Sequence, residues 1–193
     1  DQLAHFNSHL NLTEAEKHLK SVVSSVFVPW FTFYDSLIKL AIVDQITHSQ
    51  KQKYLNVVQA NLKKLKKWSL HAPGNYLHKT YLVQAEQERV LGSESKALEL
   101  YSKAAQTARE NGYPQEEALA YELAAGYAAD RELKHLGSSF IREARNGYEQ
   151  WGAVTKIKQL DAKAQKKFKE EFESGMAVGA DFFLNQRFQL DMM

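Results

Sequence analysis

Apolar residues recur at spacings of three and four along almost the whole chain and nowhere alternate with polar ones over a strand's length, so the pattern predicts helices throughout. Eight follow from it. The first takes up the opening two dozen residues, where Thr13 and Glu16 have capping-box spacing. Pro29 suits the first turn of the second, whose stripe is Phe33, Tyr34, Leu37, Ile38 and Ala41. A third helix, capped by Ser49 and Gln52, turns Tyr54, Leu55, Val58, Leu62 and Leu65 inward and ends at His71-Ala72-Pro73-Gly74. The fourth runs from about Asn75 to Leu91 and closes at Gly92, a residue suited to the left-handed conformation that ends helices. Ser93 opens the fifth, with Ala97, Leu98, Tyr101, Ala104, Ala105 and Ala108 on one face, and Asn111-Gly112 stops it before Pro114 begins the sixth. Leu119, Ala120, Leu123, Ala124 and Tyr127 are the stripe of the sixth. Phe140, Ile141, Ala144, Tyr148 and Trp151 serve the seventh, and Val154, Ile157, Leu160, Ala164 and Phe168 the eighth.

Helices of this length joined by two to five residues pack as antiparallel neighbours. Moving the chain along itself by 40 residues brings Tyr81 onto Tyr121, Ala85 onto Ala125, Ala104 onto Ala144 and Gly112 onto Gly152. Within the first copy, Tyr81, Ala85, Ala97, Tyr101 and Ala104 match the spacing of tetratricopeptide repeats. The expected fold is therefore all-α: helical hairpins stacked as a tetratricopeptide-like solenoid over residues 1–170, followed by a linker or docking helix over 171–193. Pro29 to about Leu70 would be a further, degenerate copy.

Composition narrows the classes. Apolar residues at 44% and charged residues at 25% are what a folded globular chain needs, which excludes a disordered one. A net charge of +2 supplies no global field for gripping nucleic acid or an anionic membrane. Zero cysteines exclude disulfides, thiolate nucleophiles and Cys-ligated zinc, and suit a reducing, cytoplasmic setting. Residues 25–43 are the one stretch apolar enough to suggest a membrane, but Asp35 and Lys39 within it would each cost about 2.5–3.5 kcal/mol at a bilayer centre. A start at Asp1 rather than Met suggests a piece of a longer protein.

Candidate chemistry is sparse. The phosphate-binding loop, the dinucleotide-binding turn, the nucleophile elbow and the H-E-x-x-H pair are all missing, so no catalytic residue, no cofactor and no enzyme activity are assigned. His71 and His78 lack a third ligand at useful spacing, so no metal is expected. Glu86 and Arg89 stand at i, i+3, the spacing of an ordinary helix ion pair. Lys51, Lys53, Lys63, Lys64, Lys66 and Lys67, with no acid between them, read either as a solvated face or as an anion contact; so do Lys156, Lys158, Lys163, Lys166, Lys167 and Lys169. In the repeat register the first helix of each hairpin lines a groove, which makes Lys79, Leu82, Glu86 and Arg89, then Glu122, Gly126 and Asp130, the candidate partner-binding positions. The partners expected are protein segments or neighbouring domains of the same chain, with nucleic acid disfavoured and no membrane.

Ordered strings carry a resemblance: Phe33-Tyr34-Asp35-Ser36-Leu37, Trp68, His71-Ala72-Pro73, Asn75, His78-Lys79, Ala85-Glu86 and Arg89-Val90-Leu91-Gly92. They continue through Asn111-Gly112-Tyr113, Gln115-Glu116-Glu117-Ala118, Glu122-Leu123-Ala124, Tyr148 and Trp151-Gly152-Ala153. From Thr13 to Leu160 the chain resembles the helical-repeat region of large bacterial signalling proteins. In that family an AAA-like predicted ATPase, often behind a Ser/Thr kinase domain, precedes the repeats, and a GAF sensor and a histidine kinase commonly follow. The resemblance implies a non-catalytic scaffold or sensor module of a signal-transduction kinase and transfers no catalytic residue. A different class, small-molecule or nucleic-acid sensing through the lysine-rich helices, is the alternative.

Overall fold

The computed structural model describes residues 27–164, which form seven helices and, among the described residues, no strand. In chain order these are α1 (Phe27–Ile42), α2 (His48–His71), α3 (Pro73–Leu91), α4 (Glu94–Glu110), α5 (Pro114–Asp130) and α6 (Lys134–Gln150), then α7 over residues 154–164. The helix expected at the start of the chain and the segment 171–193 lie outside the described residues. No described helix is long and apolar enough to cross a membrane. The chain divides into two compact units, the first ending at Gly112 and the second beginning at Tyr113.

In the first unit α1 packs on α2 and α3, α2 on α3, and α3 on α4. Phe33, Leu40, Val58, Leu65, Leu82, Val83 and Tyr101 are among its fully buried apolar side chains. Two of its boundaries differ from the sequence reading. The cap of α2 is Thr47 with Gln50, not Ser49 with Gln52: the Gln50 N–H donates to Thr47 Oγ1 (3.4 Å) and the Thr47 N–H to Gln50 Oε1 (3.3 Å). Thr47 has the extended backbone (φ −64°, ψ 154°) that aims a side chain at the first free N–H groups, whereas Ser49 is already inside the first turn. Helix α3 begins at Pro73 rather than Asn75, because proline has no N–H to leave unsatisfied and its φ already suits a helix. Only Ala72 separates α2 from α3.

In the second unit α5 and α6 form a hairpin. Ala118, Ala125, Ile141, Ala144 and Tyr148 make its core together with Leu160 and Ala164 of α7, and Tyr121, Phe140 and Ile157 pack against it. Alanine and glycine let the helices approach closely: a Cβ on Gly147 would stand 2.9 Å from the Ala118 Cβ and 3.2 Å from the Pro114 carbonyl oxygen. The stripe expected for α6 ends too late. Trp151 caps the helix and is 56% exposed, and Val154, expected to face inward, is 61% exposed.

The 40-residue offset reappears in the boundaries. Glu94–Glu110 and Lys134–Gln150 are displaced by that step, and the glycine that follows each turns left-handed, Gly112 and Gly152 both with φ 77°.

Candidate functional site

The positions read as partner-binding from sequence are mostly occupied by packing. Lys79, Leu82 and Glu86 are buried in the first unit, which corrects the expectation that they face a groove. A helix surface that spacing alone leaves open is here covered by other helices packed on α3. Lys79 Nζ donates to His78 Nε2 (2.8 Å) and to the Asn75 carbonyl (3.3 Å), and lies 5.9 Å from the centre of the Phe33 ring. A lysine ammonium only donates, so His78 accepts through Nε2 and is neutral. Burial, and then the charge of Lys79, lower the His78 pKa from the ordinary 6.5 to about 3.

Glu86 takes hydrogen bonds from the Tyr101 hydroxyl of α4 and from Arg89 Nε (2.8 Å). Arg89 also donates to the Leu40 carbonyl (2.7 Å) of α1 and stands 3.9 Å from Asp44. Burial works against the guanidinium's charge, but Glu86, Tyr101 and Asp44 outweigh it and raise the Arg89 pKa. The pair thus joins α1, α3 and α4. A second polar joint sits between α1 and α2: Asp35 and Lys39 pair within α1, and Asn61 Nδ2 donates to Asp35 (2.9 Å) and Ser36 Oγ (3.2 Å).

Glu122 and Asp130 belong to the second unit. Asp130 is exposed and Gly126 half-buried. Glu122 accepts from the Tyr148 hydroxyl (2.7 Å) of α6 and from Lys156 (2.9 Å to Oε2, 3.0 Å to Oε1) and Lys163 (3.4 Å) of α7. Burial alone would raise its pKa; Lys156, Tyr148 and Lys163 reverse that and hold it below the usual carboxylate range. Two of the C-terminal lysines read as a possible anion contact are therefore engaged inside the unit. His71 is exposed while His78 is buried, and among the described residues no three His, Asp or Glu side chains could hold a metal ion.

An open site does exist, between α2 and α3. A groove of about 580 Å3 is lined on the α2 side by Lys63, Lys66, Lys67, Ser69 and Leu70 and on the α3 side by Leu77, Thr80, Tyr81 and Gln84, with the Ser69 and Thr80 hydroxyls 2.8 Å apart. Lys63, Lys66, Lys67 and Leu70 follow i, i+3, i+4, i+7, one position round from the buried stripe of Val58, Asn61, Leu62 and Leu65, so these four share a second face of the same helix, while Ser69 continues the buried stripe. Leu70 is 83% exposed, a large apolar side chain at the edge of the groove. Lys63, Lys66 and Lys67 make no ion pair among the described residues. Of the groove residues, the lysines stand out in the sequence; Leu70, Leu77, Tyr81 and Gln84 do not stand out as a site, though Leu77, Tyr81 and Gln84 keep helical spacing on one face of α3. Comparison of the chain with protein-family models, with curated proteins and with solved structures gave no match to any of the three.

Proposed function

We propose that this chain is a non-catalytic helical-repeat scaffold of a multidomain signal-transduction kinase, and that it holds a protein segment or a neighbouring domain. The observation that carries the reading is the α2–α3 groove, concave, apolar along its floor and edged by lysines without ion pairs among the described residues. Grooves between helices are where helical proteins take up extended or helical segments of others. The ordered strings from Phe33 to Ala153 point the same way, toward a cytoplasmic module whose hairpins continue as a solenoid. Placing a photocrosslinking amino acid at Leu70, and as control at Leu91 on an exposed site away from the groove, tests the docking. Crosslinks from Leu70 to one defined protein segment, absent from Leu91, are expected. Equal or no crosslinking at the two sites would remove the reading.

The lysines also favour a second reading, sensing of an anionic small molecule or nucleic acid. It requires binding that weakens steeply with salt for an oligonucleotide or a polyphosphate.

A further inference from the structure

Resting on the docking reading, we infer that the α2–α3 groove takes an acidic amphipathic helix, with its carboxylates toward α2 and its apolar stripe on Leu70, Leu77 and Tyr81. Charge is the first argument. From residue 45 to residue 85 the chain has no Asp or Glu, so both walls of the groove lack acid while α2 presents Lys63, Lys66 and Lys67 to it. An acidic occupant would meet these three lysines with no carboxylate of either wall competing for them.

Placement is the second. All three lysines stand on one wall, and the opposite wall offers Leu77, Thr80, Tyr81 and Gln84. A nucleic acid carries phosphate along its full length and is met by cations on both sides of a channel with several stacking rings; here there is a single ring, Tyr81, and one charged wall. A ligand that is charged along one flank and apolar along the next fits this asymmetry, and an amphipathic helix is such a ligand. Length is the third. Lys63 to Leu70 covers two helical turns, about 10 Å, and Lys63 and Lys67 stand about 6 Å apart along the axis, the spacing of carboxylates at i, i+4 on another helix.

Fluorescence anisotropy on the full chain tests this with four probes: a short helix-forming peptide with glutamates at i, i+4 beside a leucine stripe, the same peptide with glutamines in their place, a single-stranded oligonucleotide, and vesicles containing anionic lipid. The glutamate peptide is expected to bind at least about tenfold more tightly than the glutamine peptide, and to lose about tenfold in Lys66→Glu/Lys67→Glu and in Leu70→Ser. These residues are exposed, so circular dichroism should be unchanged in both variants. Equal binding of the two peptides, no binding of either, or preference for the oligonucleotide or the vesicles overturns the inference. Crosslinking from Leu70 to a segment without acidic residues would leave the docking reading standing and remove only this one.

Discussion

Glu122 shows how a charge is kept inside a helical unit. One carboxylate receives a tyrosine hydroxyl and two ammonium groups, linking α5, α6 and α7. Glu122→Gln should lower stability by about 1–3 kcal/mol, since Lys156 loses its counter-charge and Tyr148 a strong acceptor. A urea midpoint equal to wild type would contradict this. Because the folded pKa of Glu122 is depressed, its contribution is present above the ordinary carboxylate range and disappears as pH falls through the lowered value. His78 has the opposite chemistry and the same acid sensitivity. Its folded pKa of about 3 lies below the ordinary 6.5, so the unfolded chain takes up the proton first and stability falls as pH drops from 6.5 toward 3, by at most about 1.4 kcal/mol per pH unit. In His78→Gln, which keeps an acceptor for Lys79, the urea midpoint should fall less between neutral pH and about pH 5. A slope as steep as wild type would place the acid response elsewhere.

At the scale of helices, local chemistry and the apolar stripes are legible in the sequence, since Val58, Leu62, Leu65, Tyr101, Ala104, Ile141 and Ala144 are buried as their spacing predicts, and the burial of charged residues is not. Gly92, Asn111-Gly112 and Pro114 mark boundaries that the folded chain has, because left-handed glycine and N-terminal proline act within a turn. Thr47 does not stand out as a cap because Ser49 offers similar side-chain chemistry two residues later, and only the backbone conformation separates them. Lys79 and Glu86 read as exposed because residue type says surface; what buries them is packing from distant sequence and partners such as Tyr101. Glycines make the same point measurable. Gly147→Ala should destabilise the α5–α6 hairpin by about 1–3 kcal/mol, since its Cβ meets Ala118 and the Pro114 carbonyl. Gly126→Ala, with nothing within 4 Å of the added Cβ, should instead stabilise α5 by about 0.5–1 kcal/mol. Thermal denaturation of the pair should move in opposite directions; a shared direction would refute the contact argument.

At the scale of the molecule, a 40-residue step is visible in the amino-acid sequence alone, and α4 and α6 keep it in their boundaries. The contacts do not. Each hairpin joins a glutamate of its first helix to a tyrosine of its second, Glu86 with Tyr101 and Glu122 with Tyr148, at positions the step does not superpose. The residue 40 places after Tyr101 is Ile141. A chimera with residues 94–110 replaced by 134–150 therefore keeps helix length but deprives Glu86 of its hydroxyl, and should lose about 1–3 kcal/mol in urea denaturation. An unaltered midpoint would make the hairpins interchangeable. The groove is hard to see in the sequence for a related reason: it needs two faces, one on each side of Ala72, that periodicity scores only as second-best. That single alanine has a mechanical consequence. Two rods joined by so short a strap are clamped together at one end, so the joint itself fixes how far apart the walls of the adjoining cleft can stand, as the rivet of a pair of tweezers sets the gap beside it.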